Sequence, residues 1–148
     1  MEQGIVKSFN IEDIEKQMLK CEQVICPVEH IFGDNIYIRQ VTMPAGIIAV
    51  GHEQKYDQMN IMIKGKVAIL IGGEVKVLEA PLTYQGKAGR KIGYVIEETI
   101  WQNVYSTSET NIEKLEETYL NKSEAFIEHE TLNNLKLKGE SCQQLQQQ

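Results

Sequence analysis

The hydrophobic positions follow one period at the two ends of the chain and another in its middle. Near the start, Ile11, Ile14, Met18 and Cys21 recur at three- and four-residue steps. Asn10 stands where a helix cap would, with Asp13 three residues on. This predicts a short helix over residues 10–23, closed by Cys26-Pro27 because the residue before proline is pushed out of the helical region. From residue 35 to residue 105 the apolar residues come in short β-branched runs. These are residues 36–41, 47–50, 60–63 and 67–71, then an alternating stretch over 74–78 and partial alternation over 93–96 and 100–105. Turn residues separate them at 33–35, 43–46, 72–73 and 80–81. Gly72-Gly73 between two such runs predicts a two-residue hairpin, since glycine reaches the positive φ values such turns demand. Many short strands with no helix between them predict a sandwich or barrel. After Tyr105 the helical period returns. Thr110 to Glu113 reads as a capping box, followed by one apolar face of Ile112, Leu115, Tyr119 and Leu120. Residues 123–137 predict a further amphipathic helix, with Phe126, Ile127 and Leu132 free to pack. The Gln-rich end, residues 141–148, has the low complexity of a disordered tail.

Composition narrows the class. At 148 residues, with 42% hydrophobic and 24% charged side chains, the chain suits one globular domain with a real core. No apolar run reaches the roughly 18 to 20 residues needed to span a bilayer, and the first residues lack an apolar leader segment, so the expected home is the cytoplasm. The net charge of −6 argues against binding a nucleic acid polymer. Cys21, Cys26 and Cys142 form no short CxxC pair and are expected to be buried or inert thiols.

The most informative stretch runs from Gly46 through His52, Gln54 and Gln58 to Gly65. Alternate residues on a strand face one side, so a His-x-His pair can put two imidazoles into a barrel, and a ligand from a neighbouring strand completes a metal site. The stretch resembles the first motif of the cupins: Gly, five residues, His, one, His, three or four, Glu, six, Gly. Gly46, His52 and Gly65 keep their places; Gln54 and Gln58 replace the second His and the Glu. The chain from residue 24 to residue 120 is similar to small cupins found in bacteriophage and bacterial genomes, many without an assigned function. The matching phrases include residues 26–30, 43–46, 50–52, 60–62, 80–84, 88–94 and 97–105. The resemblance implies a mainly all-β fold, a cupin-type double-stranded β-helix or jelly-roll barrel with short N- and C-terminal helices. With the helical periods at the two ends, three parts are expected: a helical arm at 1–23, the barrel and following helix at 24–121, and a C-terminal helix and tail at 122–148. The resemblance also implies histidines at Gln54, Gln58 and Tyr105, which this sequence does not have.

That departure sets the functional expectation. Gln amides bind transition metals far more weakly than imidazole or carboxylate, so no cofactor is expected, and a divalent metal only if His52, Gln54 and Gln58 form a weak site. Asp57 and Glu53 lie close in sequence but have no assured inward place, and His30 and His129 read as surface or satisfied histidines. Gln54, Gln58, Asn60 and Tyr105 offer donors, acceptors and a ring around a cavity. Arg90 and Lys91 follow a glycine turn and suit a phosphate or carboxylate, or a solvated loop. Arg39 is a second anion contact or an outward, snorkelling side chain. Tyr94 and Trp101 serve either the core or a ligand platform. The leading expectation is a non-catalytic barrel binding a small polar or phosphorylated ligand, in one version a phage protein that sequesters a nucleotide-derived signal of host defence, and so works in the host cytoplasm. The alternatives are a cupin enzyme, with His52 and Tyr105 as base and acid, and a structural accessory protein. A homodimer or higher homo-oligomer is expected in each case.

Overall fold

The structure, a computed structural model, describes residues 10–147, with side chains described over residues 10–135. The opening residues, Gln148 and the side chains of the Gln-rich end lie outside the described residues, and so do the expectations placed on them. The chain divides into two compact units, one formed by Val24–Asn121 and the other by the two terminal segments.

In the larger unit, β1 (Val28–Gly33), β2 (Ile36–Met43), β5 (Gln58–Ile71), β6 (Glu74–Glu79), β7 (Leu82–Gly86) and β8 (Ile92–Ser106) join with the short β3 (Ile48–Val50) in one antiparallel sheet. Two of its strands are long, β5 with 14 residues and β8 with 15. Sequence reading broke each of them into two runs. The structure joins them, because the register between them slips at Met62, Lys64, Lys66 and Val67, and such bulges bend a strand without ending it. Gly65 sits in that bend at a φ of +104, and a Cβ there would overlap the Glu98 carbonyl and Thr99. It is a bend within a strand, not the end-of-strand turn that the spacing suggested.

The bend gives the sheet two halves. In one, β1, β2, β8, β5 and β7 lie side by side; in the other, β3, β8, β5 and β6. Both halves contribute to one buried cluster of Met62, Val67, Ile69, Val95 and Trp101, with Val41, Ile47, Ala49, Leu78 and Leu82 packed around it. The halves therefore close on each other as a barrel. Gly72 and Gly73 both take positive φ, 60 and 81 degrees, in the hairpin between Ile71 and Glu74, as their sequence foretold.

After β8 come α2 (Ile112–Tyr119) and β9 (Leu120–Asn121), which pairs with β4 (Glu53–Gln54). The helix is capped by Asn111, whose side chain accepts from the Lys114 amide at 3.0 Å, one residue later than the capping box placed it. In the smaller unit, α1 (Ile11–Leu19) starts at its expected Asn10 cap, which accepts from the Glu12 amide at 3.0 Å. The buried Glu15 accepts from the hydroxyl of Ser123, which precedes α3 (Glu124–Gln147). Of the buried or inert thiols expected, Cys21 is exposed and Cys26 half-buried. No helix among the described residues is long and apolar enough to cross a membrane.

Candidate functional site

Strand register stacks the inward-facing side chains of the first half in three tiers. The lowest runs Val28, Val41, Trp101, Met62, Leu82 across β1, β2, β8, β5 and β7. It is wholly apolar and merges with the core. One step along each strand, where the period of two returns to the same face, the tier runs His30, Arg39, Asn103, Asn60, Tyr84. Every member is polar. The third tier holds Phe32, Tyr37 and Tyr105, with Gln58 opposite Gly86. A polar layer thus lies inside the barrel, above an apolar floor and below an aromatic rim.

The polar layer is only partly satisfied. Asn60, fully buried, accepts from the Asn103 amide at 2.6 Å and from the Gln58 amide at 3.4 Å. His30 Nδ1 and the Tyr37 hydroxyl share a hydrogen bond of 2.7 Å. Arg39 Nε, Gln58 Oε1, Asn60 Nδ2 and the Tyr84 hydroxyl are buried without a hydrogen-bond partner among the described protein groups. Burial pushes the Tyr84 phenol up to about 12. The nearby Asn60 amide pulls it back slightly. The four atoms face one interior, where water or a ligand can supply their partners.

Above them the rim is closed. Leu115 of α2, 1% exposed, packs on Tyr37 and Tyr105, with Tyr119 beside them. Tyr105 stacks on Tyr37 at 5.5 Å and on Tyr119 at 4.5 Å between ring centroids. The helix is tied down at its far end, where the Lys55 amide donates to the Tyr119 carbonyl at 2.9 Å and β9 pairs with β4. What remains between rim and lid is a cavity of about 10 Å³, lined by Tyr37, Arg39, Tyr105, Leu115, Glu116 and Tyr119 among others. That is about the room one water needs.

The structure gathers some of the expected residues and scatters others. Gln58, Asn60, Arg39 and Tyr105 point into the barrel, so the inward choice for Arg39 holds. Gln54 joins them: its Oε1 accepts from the Tyr105 hydroxyl at 3.0 Å. Trp101 belongs to the core floor, edge-on to Tyr84 at 5.9 Å. His52 is half-buried on the segment between β3 and β4. Arg90 Nε is spent on the Gly51 carbonyl at 2.8 Å, and Gly51 in turn donates its amide to Lys91 at 3.0 Å. Lys91 is half-buried beside Gly86 and Asn60, and that burial lowers its pKa. Tyr94 is a correction: 48% exposed, it faces outward on the other half of the sheet, in register with Ile48 and Ala68. His30, Tyr37, Tyr84, Asn103, Leu115 and Glu116 were not singled out for the site. The parity of Trp101, Asn103 and Tyr105 carried a signal for Asn103. His30, placed ahead of the barrel by sequence reading, stands within β1.

The bent strands, the two-halved antiparallel barrel and the places of Gly46, His52 and Gly65 agree. The fold is of the cupin type. No protein-family model matches the chain, and no curated protein does. Solved structures resemble it in fold. KdgF from a Halomonas species is 12% identical over 60% of this chain and 86% of its own, with a TM-score of 0.47. An RmlC-like cupin with a double-stranded β-helix from Methanocaldococcus jannaschii is 15% identical over 58% of this chain and 84% of its own, at 0.46. An acetylacetone dioxygenase from Acinetobacter johnsonii is 15% identical over 53% of this chain and 58% of its own, at 0.43. These are likenesses of shape, and no activity is carried from them.

Cupin-type barrels invite a divalent metal at the rim, and the residues here do not fit one. Gln54 Oε1 is taken by Tyr105, whose phenol is pushed up to about 12 mainly by burial and so stays protonated at neutral pH. Among the described residues no three His, Cys, Asp or Glu side chains stand together to hold an ion. One imidazole with two amides and a neutral phenol is a weak donor set. The Tyr105 hydroxyl is directed at Gln54 Oε1 at 3.0 Å.

Proposed function

We propose that the barrel is a non-catalytic binding module for a small polar molecule, held in the polar tier beneath α2. The observation that carries this reading is the set of four unpartnered buried polar atoms on Arg39, Gln58, Asn60 and Tyr84. A buried donor or acceptor without a partner costs about 1 to 3 kcal/mol, and a ligand that supplies the missing partners recovers that cost on binding. Ligand pockets typically hold about 300 to 1,000 Å³, so anything larger than water enters only when α2 leaves the rim. The helix is therefore the gate of the site. The phage-type resemblance makes a nucleotide-derived signal of host defence one concrete ligand, which the closed barrel would sequester from its receptor.

Isothermal titration of the wild type and of a gate variant, Leu115→Ala, against neutral sugars, cyclic nucleotides and cyclic ADP-ribose isomers tests the reading. Heat from at least one compound, stronger with the gate variant, is expected. Silence from both proteins across the panel sinks it. Sedimentation velocity on the full chain tests the accompanying expectation of a homodimer.

A further inference from the structure

Among the described residues, those facing inward in the rim half of the barrel include no carboxylate. They include one full cation, Arg39, and Lys91 reaches the same interior from the side, beside Asn60 and Gly86. Of the four unpartnered atoms, Arg39 Nε and Asn60 Nδ2 are donors, the Tyr84 hydroxyl can give a proton or accept one, and Gln58 Oε1 is an acceptor. An interior with donors in excess and positive charge wants an anion. The gate carries a carboxylate that faces it: Glu116 of α2 lines the same small cavity as Arg39, and both charges act on the Tyr37 phenol, while the exposed Asp57 acts on Lys91 from the surface. The adjacent residue of the helix, Leu115, is the one that plugs the rim.

We propose that the site takes an anionic group, a phosphate or carboxylate, against Arg39, and that Glu116 occupies this position as a built-in competitor while the barrel is closed. This rests on the binding-module reading and names its ligand class. A ligand anion and the Glu116 carboxylate are mutually exclusive above Arg39, so binding an anion and lifting α2 are one event. Guanidinium suits the task, because its flat array of donors matches two oxygens of a phosphate or carboxylate at once and its charge does not titrate. Lys91, at the side of the tier, is placed to meet a further oxygen.

The test uses inorganic phosphate as the probe and isothermal titration on the full chain, at constant ionic strength set by chloride. Three proteins are compared: wild type, Glu116→Gln, and Glu116→Gln combined with Arg39→Gln. Phosphate is expected to bind Glu116→Gln at least tenfold more tightly than the wild type, and the double variant at least tenfold more weakly than Glu116→Gln. Far-ultraviolet circular dichroism confirms that each variant is folded. Equal phosphate affinity in wild type and Glu116→Gln overturns the competitor role, and phosphate binding that survives loss of Arg39 overturns the anion site. Neutral sugars that bind where phosphate does not would overturn the anion class and leave the binding module standing. Failure of both, in the gate variant as well, removes the module itself.

Discussion

Truncating Leu115 separates a gate from a piece of core. The side chain is 1% exposed and sits on Tyr37 and Tyr105, and Leu115→Ala removes most of what α2 buries on the rim. Deleting a buried leucine in this way costs about 2 to 5 kcal/mol, depending on how far the hole collapses. Tyr119, packed on Tyr105 at 4.5 Å, remains to fill part of it, so the low end is expected, near 2.8 kcal/mol. Where that cost falls is the question. If α2 opens on its own, the whole cost falls on the opening equilibrium, which shifts about a hundredfold, since about 1.4 kcal/mol is a factor of ten. The barrel's own unfolding then changes little. Native-state hydrogen exchange reads both at once. The amides of α2, such as that of Leu115 bonded to the Asn111 carbonyl at 3.0 Å, should exchange about a hundredfold faster, while the amides between β5 and β8 keep their protection. Equal acceleration in both places would show that α2 unfolds only with the barrel. The gate would then not exist, and a closed interior would have no route to a ligand.

Further outcomes follow from the same geometry. Gly65→Ala meets both a positive φ and the backbone of Glu98 and Thr99, so a loss of roughly 4 kcal/mol or more is expected in urea unfolding; a loss under about 1 kcal/mol would mean the bend relaxes easily. Asn60→Ala removes the acceptor of the Asn103 amide as well as a partner for Gln58, and should destabilise the barrel by about 2 to 4 kcal/mol in the same assay. Alkaline titration followed by tyrosine absorbance should show Tyr84 and Tyr105 ionising last. Both are raised to about 12 from an ordinary value of 10, so the folded state keeps protons that the unfolded state gives up. Stability from these groups is complete below pH 10 and falls as the pH rises toward 12, and a urea midpoint unchanged between those values would contradict the burial.

The strands that sequence reading captured are those that announce themselves locally: the alternation of β6, the double glycine after Ile71, the β-branched start of β2. What it divided, β5 and β8, are interrupted by Gly65 and by Glu97 and Glu98, and a bulge looks like a turn until the partner strand is known. It gave no strand to β1 or β7. Val28-Glu29-His30-Ile31-Phe32 does not alternate: a histidine stands between Val28 and Phe32 on one face, Ile31 shares the other with Glu29, and a proline precedes the run. The polar tier depends on register. Arg39, Asn60, Tyr84 and Asn103 are scattered over 65 positions, and only the pairing of β2, β8, β5 and β7 sets them in one row. The apolar face of α2 was legible as a face. Its target was not, because amphipathicity says that a helix must cover something and leaves open what it covers. That is why the sequence suggested an open cavity where the structure has a lid.

The central place of β8 also orders events during synthesis. This strand pairs with β2, β3 and β5, and Ile36, already opposite Gly33 of β1, gains its second partner only when Ser106 is made. A chain made as far as Gly86 can pair β1 with β2, and β5 with β6 and β7, but has nothing to join the two groups. Loops of this length must close before their contacts give any return, so folding is expected on the slow scale of barrels, milliseconds to seconds. Until β8 emerges, Asn60 and Arg39 meet only water, and the two apolar edges that β8 will fill stand open to any other strand. A nascent chain arrested before residue 92 is therefore the form of this protein most prone to aggregate and most in need of a chaperone.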